Sequence, residues 1–176
     1  MNDHDFLRSL VSCGAVRFGT FTLASGKTSE YYVDIKKAAT RPDLLWEIAK
    51  RIAPHAQGFQ RIAGVELGAV PIAAAVALET GIPFLIVRKE AKGHGTKAAF
   101  EGEMHAGDRV VFVEDVVTTG GTLRAAIEGL RAEGAVVDRA IAVVDREEGG
   151  AEALRAAGVE LLALLRARDL KRGAND

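Results

Sequence analysis

The chain of 176 residues has one cysteine, one tryptophan, two tyrosines and four prolines. A lone Cys13 can form no internal disulfide and supplies no cysteine cluster for zinc, which points to a reducing, cytoplasmic compartment. The chain also lacks net charge: 23 Lys and Arg stand against 24 Asp and Glu, leaving −1. There is thus no general attraction to nucleic acid or to an anionic membrane, and any anion site has to be local. Long hydrophobic runs are missing too. The most apolar window, GAVPIAAAVALETGIPFLIV, is interrupted by Pro71, Glu79, Gly81 and Pro83, whereas a membrane span needs about 20 nearly uninterrupted apolar residues. The opening MNDHDFLRSLVSCG carries two acids and no long apolar stretch of the signal-peptide kind. No repeat or low-complexity tract is present.

Hydrophobic residues make up 48% and charged residues 27% of the chain, an ordinary globular composition. This length predicts one domain, which on folding removes roughly 70% of the unfolded chain's surface. Helical spacing runs from Asp3 to Cys13, with Gly14 as the stop. Residues 18–38 alternate and turn like short antiparallel strands. Pro42 opens a helix expected to reach His55. Beyond it the rhythm becomes strand and helix: strands at 61–67, 83–87, 109–115, 136–145 and 159–167, helices at 69–80, 121–134 and 150–158. The polar stretch 88–108 reads as a mobile loop and the tail 171–176 as frayed. Continuous Val/Ile runs joined by helices predict an α/β fold with a mostly parallel central sheet buried on both faces, and ligands then sit beyond the carboxyl ends of the strands.

The most informative stretch is RVVFVEDVVTTGGTL, residues 109–123. A strand that enters a helix through TTGGT presents several N–H groups at a helix N-terminus, a natural anion site. Gly120 and Gly121 let a phosphate approach, and Thr118, Thr119 and Thr122 can add hydroxyl donors. The plainer alternative is that Thr122 caps the helix while the glycines turn the chain. A Walker loop is excluded, because G-x-x-x-x-G-K-[ST] is absent. Glu114 and Asp115, expected at a solvent-accessible strand end, repel phosphate but accept hydrogen bonds from vicinal hydroxyls and can support Mg²⁺. A ribose 5-phosphate satisfies both features.

VVFVEDVVTTGGT resembles the phosphoribosyl pyrophosphate (PRPP) signature of type I phosphoribosyltransferases. FTLASGKTSEYYVDIK and VRKEAKGHGTK are similar to the N-terminal segment and the catalytic loop of the orotate phosphoribosyltransferases, and VVDREEGG extends the likeness over most of the chain. The resemblance implies a type I phosphoribosyltransferase fold, with residues 1–40 as a small N-terminal hood and 41–170 as the α/β core. It also implies transfer of phosphoribose from PRPP to orotate in pyrimidine synthesis, a homodimer sharing the loop across subunits, and Mg²⁺ held mainly by PRPP. PRPP would be bound by Arg88, Lys89, Lys92, His94, Glu114, Asp115, Val116, Val117, Thr118, Thr119, Gly120, Gly121 and Thr122, with Lys92, His94 and Asp115 catalytic. Thr118 and Arg146 would contact orotate.

Independently of that likeness, the cations of the loop suit a departing pyrophosphate, on which negative charge builds as the glycosidic bond breaks. The planar guanidinium of Arg146 suits a pyrimidine carboxylate; the alternative is a surface ion pair with Glu147 or Glu148. Tyr31 and Tyr32 could stack on a base or pack a hairpin. His4, His55 and His105 read as isolated surface residues. GHGTKA loosely matches a dinucleotide pattern but lacks the strand and helix that pattern requires. Two positions depart from the longer family members, which carry lysine where this chain has Ala24 and Gly68. The rivals are transfer to another base, and a PRPP-sensing regulator of the same fold.

Overall fold

In the computed structural model, residues 1–22, 26, 28–89 and 100–173 are described. Helix α1 (Asp3–Ser12) begins at Asn2, whose side chain accepts the Asp5 N–H at 2.8 Å. A two-stranded antiparallel ribbon follows, β1 (Val16–Thr22) against β2 (Thr28–Val33). A short helix, α2 (Lys36–Ala39), leads into α3 (Pro42–Ile52), where Pro42 occupies the first turn. The helix expected to reach His55 changes character at Ala53: Pro54 cannot donate a helical N–H, and residues Ala53–Ala56 tighten into a 3₁₀ turn.

The remaining strands are β3 (Arg61–Val65), β4 (Phe84–Val87), β5 (Phe100–Glu101), β6 (Arg109–Val117), β7 (Val136–Asp145) and β8 (Glu160–Arg166). They form one sheet in the order β5-β4-β3-β6-β7-β8. Only the β4–β5 pair is antiparallel. Helices α4 (Ala69–Thr80), α5 (Gly121–Ala132) and α6 (Gly150–Ala156) make the crossovers. The two-residue edge strand β5 lies inside the stretch expected to be loop.

Alternation along the strands explains the layering. Ile62, Val111, Val113, Ile141 and Val143 bury against α1, α3 and α4. Their neighbours Ala63, Val110, Phe112, Ala140 and Ala142 bury on the opposite face with Leu123, Ile127, Leu130 and Leu154. Both faces are therefore covered, as continuous apolar strands require. After β3 the chain crosses to β4 on one side, and it later returns to place β6 on the other. The carboxyl ends of β3 and β6 thus flank a topological switch point, where an open sheet leaves a crevice.

The tail expectation is corrected in part. Residues Ala167–Gly173 form helix α7, anchored by a fully buried Leu170. Among the described residues no helix is long and apolar enough to cross a membrane.

Candidate active site

Strand β6 runs two residues beyond Asp115, because Val116 and Val117 continue the ladder opposite Val144 and Asp145 of β7. That extension overturns the expectation of a solvent-accessible acid pair. Glu114 points inward and is only 8% exposed, while Asp115 is half-buried. Glu114 Oε1 accepts the Asp115 N–H at 3.0 Å, and Asp115 Oδ1 accepts the Val116 N–H at 2.8 Å. Burial, followed by the hydrogen bond and charge of Asp115, pushes the Glu114 carboxyl up to about 8. Near neutral pH Glu114 therefore keeps its proton, so the two acids do not both carry charge. This eases the conflict posed by two acids beside a phosphate turn: at most one anion remains there, with the charge of Lys89 acting on Glu114.

The shift has a testable sign. The unfolded carboxyl titrates near 4.5 and the folded one near 8, so between those values the native state holds a proton that the unfolded chain has lost. Stability from this group is complete at the acid end and declines as pH rises through the window. The melting temperature should fall between about pH 5 and about pH 8.5, and Glu114→Gln should flatten that slope. An identical slope in the variant would exclude Glu114 as its source.

The turn after β6 forms a small cavity of about 90 Å³ lined by Val116, Val117 and residues 118–122, the space of about three waters at ~30 Å³ each. Gly120 holds a left-handed φ of 77° and heads α5, and no side chain caps this helix. Thr122 is therefore not the cap. The N–H groups of the first turn are left to a ligand, and a phosphate suits them. Gly120 packs on the backbone of Gly150, to which a Cβ would come within 3.2 Å. A Cβ on Gly150 would in turn lie 2.6 Å from the Thr118 carbonyl oxygen. The two turns meet backbone to backbone, which the absence of side chains at both positions permits.

A second, larger cavity of about 750 Å³ adjoins the first and is lined in part by Ser29, Tyr31, Thr119, Arg146 and Arg168. Thr119 faces both cavities, and Thr118 lines the smaller. The Arg146 N–H donates to the Val117 carbonyl at 2.9 Å, tying the base of this cavity to the phosphate turn. Its side chain is 10% exposed, with Nε 2.9 Å from Glu148 Oε1. That approach is a charge contact without hydrogen-bond alignment, so the buried Nε lacks a hydrogen-bond partner. The expected ion pair exists, yet it leaves Arg146 under-satisfied inside a cavity, the state of a group that a ligand completes. Tyr31, which lines this cavity, is 5% exposed and packs beneath Arg146, the guanidinium 5.1 Å from its ring centroid. Tyr32 instead stands 5.6 Å from Phe21, with Arg17 over its ring.

The turn carrying Arg146 is built by the acids on either side of it. Buried Asp145 accepts the Glu147 N–H at 2.9 Å, and Glu147 adopts a left-handed φ of 55°. The Glu147 carboxylate accepts the Arg168 N–H of α7 at 3.1 Å. Of the loop cations, Arg88 pairs with Glu101 of β5, and the Lys89 N–H donates to Glu66 at 3.1 Å. Lys92 and His94 lie outside the described residues. Lys36 of α2 pairs with Asp34 at 3.0 Å, and that acid, with lesser help from Asp115, raises its pKa. His105 is not isolated, since it lies 3.5 Å from Glu103. Among the described residues no three His, Cys, Asp or Glu side chains gather as a metal cage.

An acid pair and an anion-accepting helix N-terminus thus lie together at the switch point of an α/β sheet, beside a larger cavity. A family model described as "Phosphoribosyl transferase domain" matches residues 43–155, and the chain belongs to that family. The orotate phosphoribosyltransferase of Methanosarcina acetivorans is 52% identical over 168 residues, covering 94% of this chain and 90% of that protein. Among solved structures, orotate phosphoribosyltransferase from Aeropyrum pernix superposes with a TM-score of 0.87 at 33% identity, covering 97% and 98% of the two chains. The Mycobacterium tuberculosis orotate phosphoribosyltransferase in complex with PRPP gives a TM-score of 0.79 at 31% identity, covering 97% and 99%.

Proposed function

We infer that the protein is an orotate phosphoribosyltransferase, a pentosyltransferase that moves the phosphoribosyl group of PRPP to orotate, giving orotidine 5'-monophosphate and pyrophosphate in pyrimidine synthesis. The carrying observation is that Thr119 lines both cavities, with a helix N-terminal turn at one and a buried, under-satisfied guanidinium at the other. Similarity to orotate enzymes at about half identity over most of the chain supports the choice of base over adenine, xanthine or uracil. It also weighs against a PRPP-sensing regulator.

In this reading the turn of Thr118, Thr119, Gly120, Gly121 and Thr122, with Val116 and Val117 below it, takes the 5-phosphate. Asp115 accepts hydrogen bonds from the ribose hydroxyls, and Glu114 shares its proton with it. As the bond from the anomeric carbon to pyrophosphate breaks, its electron pair leaves with the pyrophosphate, and the single charge of the acid pair favours the positive character left on the sugar. Orotate, held through its carboxylate by Arg146 and by the threonine turn including Thr118, forms the new bond from N1 on the opposite face as the N1–H bond breaks and its proton passes to the departing pyrophosphate. Lys92 and His94, with Arg88 and Lys89 at the root of their segment, meet the departing pyrophosphate and exclude water. The half-buried Asp115 carboxylate is a hard oxygen ligand of the kind Mg²⁺ accepts beside substrate phosphates. Bound there with PRPP, the ion would neutralise phosphate charge. Residues 1–40 serve as a hood over the core at 41–170. The assembly is a cytoplasmic homodimer with the 88–99 segment shared between sites.

A panel assay with purified protein, PRPP, Mg²⁺ and orotate, uracil, adenine or xanthine tests the reading. Pyrophosphate release is expected with orotate alone, and release driven by another base, or by none, would overturn it.

A further inference from the structure

We propose that Gly68 is the seat of the Asp115 carboxylate, a positioning residue that holds the ribose-binding acid in place by having no side chain. The inference rests on the reading of Asp115 given above. Gly68 precedes α4 in the turn after β3, with φ −66° and ψ −34°, a conformation open to any L-residue. Its backbone therefore gives no reason for glycine. Space does. A Cβ at this position would fall well inside contact distance of Asp115 Oδ2, 2.7 Å from Cγ and 3.3 Å from Oδ1. Its three nearest heavy atoms all belong to that one carboxylate.

Gly64, four residues earlier, shows the contrasting case. A Cβ there would meet the Ala69 carbonyl oxygen at 2.7 Å and the Ala73 methyl at 2.9 Å, so that glycine serves helix–strand packing. At Gly68 the neighbour is the end of a polar side chain reaching across the switch point from β6. Its other side is held as well, since Asp115 Oδ1 accepts the Val116 N–H at 2.8 Å. The carboxylate is lodged between its own strand and the β3–α4 turn, within charge reach of Lys36. A methyl group at 68 would displace it by rotation about χ1, a movement open to a half-buried side chain, without disturbing the core.

The test is a cycle of four full-length enzymes: wild type, Gly68→Ala, Asp115→Ala and the double variant, compared by steady-state kinetics and melting temperature. Gly68→Ala is expected to lower kcat/KM for PRPP by roughly ten- to a hundred-fold, with the orotate KM and melting temperature nearly unmoved. In the Asp115→Ala background the same substitution is expected to add no further loss, because nothing remains to displace. Wild-type kinetics in Gly68→Ala beside an impaired Asp115→Ala would overturn the inference and leave the ribose assignment standing. Equal losses in both backgrounds would also overturn it. Unimpaired Asp115→Ala would remove the ribose assignment and this inference with it. Should Gly68→Ala alone fail to fold, the double variant decides: recovery of folding supports the contact, and its failure overturns it.

Discussion

Asp115→Ala is expected to lower kcat/KM for PRPP by about 10²- to 10⁴-fold. The carboxylate would accept two ribose hydroxyls, and each charge-assisted bond contributes about 1.5–3 kcal/mol. The loss should fall on turnover as much as on binding, since the same charge favours the sugar as it becomes cationic. The fold should survive, because the side chain is only half-buried and the backbone bond it accepts is the single Val116 N–H of its own strand. Asp115→Asn keeps an acceptor without the charge and should fall between the two. Mixing Asp115→Ala chains with Lys92→Ala chains should return part of the activity, since a dimer sharing its loops would contain one intact hybrid site. Unchanged efficiency in Asp115→Ala would remove the ribose cradle.

Arg146→Ala should act on the other substrate. The side chain is nine-tenths buried, stacked on Tyr31 and facing Glu148. Its removal should reduce kcat/KM for orotate by roughly ten- to a hundred-fold while the PRPP dependence changes much less. Arg146→Lys should recover little, since an ammonium lacks the planar fork and cannot stack in the same way. If both substrates weakened equally, the arginine would be serving the turn and not the base.

Local and contiguous features were legible in the residues. Strand β6, the acid pair and the phosphate turn occupy a single stretch of fifteen letters, and their order along the chain is their order in space. Arg146 was legible for the same reason, as the residue after a long apolar strand. The burial of Glu114 was not, because it depends on Val116 and Val117 extending the ladder opposite Val144 and Asp145, a pairing between distant segments. Tyr31 beneath Arg146 and Gly68 beside Asp115 are likewise products of topology: nothing near Tyr31 or Gly68 in sequence names its partner. Helix α7 escaped notice because its docking rests mainly on Leu170 within a charged segment. Strand β5 is two residues long and carries no periodicity at all.

The backbone contact between Gly120 and Gly150 has a consequence for selectivity. Together with the hydrogen bond from the Arg146 N–H to the Val117 carbonyl, it joins the anion turn and the base turn into one rigid jaw. A shift of either end would strain this contact and this hydrogen bond, so under the proposed function the pair of turns would gauge the span between phosphate and carboxylate as a caliper does. A molecule with the right groups at the wrong separation can occupy one end only, and it forfeits the second set of bonds. Discrimination would then be a matter of length as well as of chemistry, built into two glycines whose backbones meet.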